Sequence, residues 1–443
     1  MNEFPVSFSA QTLVIGVLVG ALVGFVLSQS KDDRKINNFG PKTNTEKIAL
    51  MPKVELHVHL DGSFDELAVF AEAKAQLASG NGDHLPDEVT LFGETLPVRH
   101  AIETCASGED FKKLVSCKDR RSLHAMFRCF EIFLPIVRGR LQLLEELAYR
   151  FVERQAAQSV VYTEVRYSPH LLADGGLMVL DNGQLAQDVP SAMKDSADAI
   201  LAAITSGLRR GEKKFGVTVN QLLCCLAFRP DWANDVVRLA ELHKDNFPCA
   251  VVGIDVAGGE EWFEKPNDKG GPDLHTSHAR ALQRAQALNL NITIHAGEDS
   301  NFSNVSEAIK DHGATRIGHG YRLVEDKAMM HRMIELGIHF ECCPTSSYET
   351  GGWHGSSAEG LQWDRHPMKE LIAAGASVGL NSDDPSVFST SLTDEFQLMS
   401  SHGEMDFSQL VSCTMNAADA TFLPELQKQK LRQELQTRFN AIH

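Results

Sequence analysis

Short apolar runs rich in β-branched residues alternate along the chain with longer stretches whose apolar residues recur at i, i+3 and i+4. Eight such runs begin at residues 53 (KVELHVHLD), 159 (SVVYTEVRYS), 217 (VTVNQLLCCLAF), 249 (CAVVGIDVAGG), 291 (NITIHAGED), 314 (ATRIGHGY), 338 (IHFECCPTSS) and 376 (ASVGLNSDDP). Helical patterns such as LQLLEELAYRFVERQAA and HPMKELIAAGA lie between them. Eight strands alternating with helices predict an α/β fold, a (β/α)8 TIM-type barrel whose site lies at the C-terminal ends of the strands. Residues 64–140, between the first two strands, exceed an ordinary connection and predict an extra helical lid.

Polar residues are not spread evenly over these runs. In seven of the eight, groups capable of chemistry fall at the C-terminal end, and only the run ending CCLAF lacks them. His57 and His59 end the first strand, His295 and Glu298 the fifth, His319 the sixth, and Asp383 and Asp384 the eighth. The spacing of His57 and His59 puts both imidazoles on one face of a strand. Singly, each residue has a plain structural role: a core histidine, or an Asp-Asp-Pro loop cap. Gathered at one barrel mouth, three imidazoles and a carboxylate make a ligand set suited to zinc, with a position left for water.

Composition narrows the choice of ligand. The 443-residue chain has an ordinary globular balance of 43% hydrophobic and 23% charged residues, but a formal net charge of −17. That field repels phosphate backbones, so nucleic acid is excluded as a partner and a small neutral or cationic ligand is favoured. Nine cysteines cannot all pair, and they include two doublets inside strand-like runs. This pattern predicts buried thiols in a reducing compartment. No C-x-x-C pair occurs, so a cysteine zinc site of the usual spacing is absent.

The first 28 residues read as a hydrophobic anchor or signal segment. TLVIGVLVGALVGFVL, residues 12–27, is uncharged and reaches the lower limit of a membrane helix, with Gly16, Gly20 and Gly24 at every fourth position. No Lys or Arg precedes it, against a signal peptide, whereas Lys31, Arg34 and Lys35 follow it. By the positive-inside bias the expectation is membrane association with a cytoplasmic catalytic domain. A secreted or lumenal protein after signal cleavage is the competing reading, to which the sequons at Asn291, Asn301 and Asn304 would belong. Of these, Asn301 and Asn304 are expected to tolerate a glycan. Residues 29–50 read as a flexible linker and 51–443 as the barrel.

The motifs VELHVHLDGS, EVRYSPHLLA, IDVAG, HAGE, GHGY, CPTSSYETGGW and LNSDDP, in that order, resemble the adenosine deaminase family of the zinc-dependent amidohydrolase superfamily. The resemblance runs from about residue 51 to NAADATFLP near the C-terminus. It implies one zinc ion per chain, held by His57, His59, His295 and Asp383. It also implies catalytic roles for Glu298 at purine N1, for His319 beside the attacking hydroxide, and for Asp383. His59 and Asp61 would meet the substrate, Asp61 at the ribose 5′-hydroxyl; the Gly258 amide would meet N3 and Asp384 would meet N7.

On this reading the activity is hydrolytic deamination of adenosine and 2′-deoxyadenosine, in purine salvage and adenosine clearance. A carboxylate at residue 61 suits a free 5′-hydroxyl and repels a phosphate. The alternative is a membrane-tethered adenosine-binding or receptor-docking protein with little catalysis. The expected partner is a small purine nucleoside, and the sequence assigns no oligomeric state. Within the lid, Met126, Phe127 and Phe130 are candidate cavity linings, whereas Phe133 reads as core.

Overall fold

The computed structural model describes residues 43–442, apart from 81, 83–84, 92–93, 174–188, 190, 265–273 and 358–359. Eight parallel strands form one sheet in chain order: β1 (Lys53–His59), β2 (Val160–Tyr167), β3 (Thr218–Leu226), β4 (Val251–Ala257), β5 (Asn291–Ala296), β6 (Arg316–His319), β7 (His339–Cys342) and β8 (Ser377–Leu380). Every one lies within a run that the hydrophobic pattern marks. The strands are buried on both faces, which is why they read as nearly continuous apolar runs. Closure comes just beyond β8, where Val58 bridges Asp383 and the Asp383 and His59 amides donate to the His57 and Asp383 carbonyls.

The residues that interrupt these runs fill the barrel interior with charge. Arg166 on β2 reaches Asp255 on β4 at 2.9 Å and Glu341 on β7 at 2.6 Å. Arg316 on β6 reaches Glu341 at 2.7 Å and Glu164 on β2 at 2.6 Å. All five side chains are fully buried, so each charge depends on its partners for the solvation it has lost.

Between β1 and β2 the lid holds helices Glu66–Ala78, Val98–Thr104, Gly108–Leu114 and Leu123–Val137. It also holds an antiparallel hairpin, Glu88–Leu91 with Glu94–Pro97, where the pattern suggested helices alone. The linker reading of 29–50 needs correction at its end. Asn44–Leu50 is a helix, closed by a Thr43–Glu46 capping box and anchored by buried Ile48, so the folded unit starts at Thr43. The apolar segment 12–27 lies outside the described residues. Among the described residues no helix is long and apolar enough to cross a membrane. Asn304, expected to tolerate a glycan, is buried and donates to Glu260, so a sugar there would break the fold.

Arg316→Met tests the interior network, because it strips Glu164 of its arginine and Glu341 of one of its two. We expect a stability loss of about 3–5 kcal/mol in urea unfolding. A loss below about 1 kcal/mol would show that the barrel does not depend on this pairing.

Candidate active site

The C-terminal strand ends converge on one cavity of about 250 Å³. Its walls include His59 and Asp61 after β1, Gly258 after β4, His295 and Glu298 at β5, His319 at β6, and Asp383 and Asp384 after β8. His59, His295, Glu298, His319, Asp383 and Asp384 were singled out by their places at strand ends, and Asp61 and Gly258 by the family resemblance. His57 sits beneath them, fully buried. Met126, Phe127 and Phe130 of the Leu123–Val137 helix close the cavity from above, as expected, and Phe133 is buried outside it.

The donor atoms face one another without enough protons to separate them. His57 Nδ1 donates to Glu341 at 2.8 Å, which leaves the Nε2 lone pair facing Asp383 Oδ1 at 3.2 Å. That Nε2 is buried and has no hydrogen-bond partner among the described residues. His295 Nδ1 donates to Asp255 at 3.0 Å, so its Nε2 faces His59 Nε2 at 3.3 Å. His59 Nε2 lies 3.4 Å from Asp383. A cation between them suits lone pairs opposed at such separations, and the two outer carboxylates fix which nitrogens of His57 and His295 are free to bind it. One ligand atom each from His57, His295, His319 and Asp383 lies within 4.8 Å of the others, and His59 joins the cluster through His295 and Asp383, so these residues fit a divalent metal. Nε2 of His319 lies farther off, 4.0 Å from Asp383 and 3.7 Å from Glu298.

Backbone geometry aims these groups. Alternation along β6 turns Arg316 and Gly318 inward, which by itself would send His319 toward the outer helices. A left-handed backbone, φ 66°, returns its side chain to the cavity, and Asp383 adopts φ 62° beyond β8. Gly318 leaves room for His57, whose ring carbon would lie 2.8 Å from an added Cβ. A Cβ at Gly62 would run into the Asp384 carboxylate. Gly258, at φ 107°, presents bare backbone to the cavity.

Burial acts on the acids unequally. It raises Glu298 well above the usual carboxylate range, helped by Asp383, Asp299 and Glu260. Asp384 is raised well above its usual value by burial, then by Asp383, Asp61 and Glu298. Burial brings Asp61 to about 7. Asp383 goes the other way: burial raises it, but His57 and its neighbours hold it well below the usual range. Burial pushes His319 well below the ordinary histidine value, so its ring is neutral.

Several residues serve the site without standing out in the sequence. Asp255 and Glu341 orient the histidines, and their only signal is an acid within an otherwise apolar strand. Glu260 accepts from the Gly297 and Glu298 amides at 2.9 and 2.8 Å and so fixes the loop that presents Glu298. The featureless end of β3 supplies apolar wall through Leu226 and Phe228. Arg138 lines the cavity with Nε donated to the Leu171 carbonyl and Nη2 buried without a hydrogen-bond partner among the described residues. Burial lowers it to about 10.

The family model described as adenosine deaminase matches residues 52–438. A relative named adenosine deaminase, from Xenopus tropicalis, is 31% identical over 391 residues, which are 88% of this chain and 96% of that one. The N6-methyl-AMP deaminase of Arabidopsis thaliana superposes with TM-score 0.63 at 25% identity, over 89% of this chain and 98% of that one. An amidohydrolase from Burkholderia ambifaria with bound Zn has TM-score 0.66 at 22% identity, over 92% and 96%, and shares the fold.

Asp255→Asn should weaken metal retention about 10- to 100-fold, because a neutral amide that can also donate replaces the carboxylate that sets the free nitrogen of His295. Competition with a chelator measures this, and unchanged retention would mean that His295 needs no such partner.

Proposed function

The chain belongs to the adenosine deaminase family, and from that premise we propose that it hydrolyses adenosine and 2′-deoxyadenosine to inosine and 2′-deoxyinosine with release of ammonia. The observation that carries this reading is the buried Glu298 carboxyl, raised in its own pocket beside neutral His319 and ionised Asp383. Hydrolytic loss of an aromatic amine needs a proton on the ring nitrogen, so that addition at the adjacent carbon does not build a full anion. Glu298, protonated, supplies it at N1. One catalytic zinc ion per chain, held by His57, His59, His295 and Asp383, supplies Lewis-acid activation of a water when bound.

The remaining groups bind and orient. Neutral His319 accepts a proton from the attacking water and keeps it on one side of the purine. Protonated Asp384 donates to N7, which is an acceptor only. The Gly258 amide donates to N3, and Asp61 meets the ribose 5′-hydroxyl. Met126, Phe127 and Phe130 cover the base and exclude water, which strengthens each polar contact beneath them. The tethered-binder alternative leaves this acid, its ligand set and the orienting carboxylates without a use.

A 5′-nucleotide substrate is a second reading, and Arg138 favours it. A guanidinium in the cavity wall whose Nη2 has no hydrogen-bond partner among the described residues suits a phosphate, and the N6-methyl-AMP deaminase of Arabidopsis is similar to this chain. Asp61 in the same cavity favours the nucleoside. Asp61→Asn should narrow the gap in kcat/KM between adenosine and AMP. A wild-type preference for AMP that Arg138→Ala abolishes would establish the nucleotide instead.

Glu298→Gln should keep metal and fold but lower kcat by about 10² to 10⁴, since an amide cannot give up the proton. Wild-type kcat in this variant would leave Glu298 a positioning role only. For placement, we propose that residues 12–27 hold the protein on membranes with the barrel on the cytoplasmic side. The reading rests on the Lys31, Arg34 and Lys35 flank and is in keeping with nine free cysteines. Fractionation should recover the full chain with membranes, whereas a soluble product beginning near Lys31 would mean a cleaved signal peptide.

A further inference from the structure

Away from the cavity, His275, Glu307 and His312 gather in the layer of helices outside β5. His275 lies in the first turn of helix Leu274–Ala287, Glu307 in helix Ser303–Lys310, and His312 in the turn that follows it. Both imidazoles aim at one carboxylate oxygen: Nε2 of His275 is 2.9 Å and Nε2 of His312 is 3.5 Å from Glu307 Oε1. One ligand atom from each of the three lies within 4.8 Å of the others.

An ion pair between His275 and Glu307 explains the first contact but not the second. Nε2 of His312 is buried and has no hydrogen-bond partner among the described residues. Leaving such an atom unsatisfied costs about 1–3 kcal/mol. The ring cannot turn away easily, because it is packed against Trp262 and Phe263, with centroids 5.2 and 6.2 Å away. A cation at the meeting point satisfies all three groups. Zinc bonds of roughly 2.0–2.2 Å set tetrahedral neighbours roughly 3.3–3.6 Å apart, a small adjustment from the spacing present. His275 and Glu307 keep 16% and 25% of their side-chain surface exposed, so a fourth position is open to water.

We propose that His275, Glu307 and His312 form a second divalent-metal site, of zinc type and structural in role, which ties the helix before β5 to the helix after it. These helices flank the strand that carries His295 and leads into the Glu298 loop, so the ion would stiffen the scaffold without touching substrate.

The test is a difference in metal content. The full-length chain is saturated with zinc chloride, gel-filtered and analysed for zinc, beside His275→Ala/His312→Ala and Glu307→Gln. Both variants should hold one equivalent less than wild type, with kcat/KM for adenosine within about twofold, and zinc should raise the Tm of wild type by more than that of either variant. Glu307→Gln preserves side-chain shape, and an unchanged far-UV circular dichroism spectrum shows that it is folded. Equal zinc content in wild type and folded Glu307→Gln overturns the proposal. Because the readout is a difference, it holds whatever the catalytic site binds.

Discussion

The Glu341 carboxylate is the point on which barrel and site both depend. One of its oxygens accepts from His57 Nδ1 and from Arg166, and the other meets Arg316 and Thr293. A carboxylate this deep is tolerable only with such partners, which hold it ionised against burial. The same bonds set the His57 tautomer and lock β1, β2, β5, β6 and β7 around a common centre. Counting formal charges, Glu164, Asp255, Glu341 and Asp383 carry four negatives, while Arg166 and Arg316 carry two positives. A divalent cation at the histidines would balance these six groups.

Convergence of strand ends alone would not complete the site. His319 and Asp383 occupy left-handed backbone, which costs about 1–3 kcal/mol for residues with a side chain. Glycines nearby remove the side chains that would obstruct the result, Gly318 for the His57 ring and Gly62 for the Asp384 carboxylate. The hydrogen bonds between Asp383 and β1 hold the strained segment down, and they also close the barrel. Closure and the placing of a metal ligand are therefore one structural event.

Much of this was legible from the sequence because a parallel barrel displays its site through a simple rule. Strand cores must be apolar, so polar residues at strand ends stand out, and all the residues picked out this way meet in or beneath the cavity. What was hidden follows from the same rule. Glu341 and Asp255 lie inside strands, where one acid among apolar neighbours does not reveal its partners on other strands. Glu260 acts through its side chain on a neighbouring loop, a contact set only by the fold. The Asn44–Leu50 helix follows a Gly-Pro-rich stretch and is too short for a clear periodicity, although its Thr43–Glu46 capping pair was there to be read. Asn304 fits a surface sequon by pattern, and only its burial against Glu260 excludes it.

The cavity's four acids, Asp61, Glu298, Asp383 and Asp384, explain how one site holds both an ionised ligand and a protonated acid. Four carboxylates cannot all ionise in a small dry space, so the pull of neighbouring cations decides which one does. Asp383 lies against His57 and His59 and keeps its charge. That charge in turn raises Glu298 and Asp384, leaving each a proton to present. A purine offers N1 and N7 as acceptors, and the two protonated acids are the complementary donors. On the proposed function, the carboxylate that would hold the metal thus also prepares the groups that would recognise the base, joining catalysis and recognition in a single electrostatic arrangement.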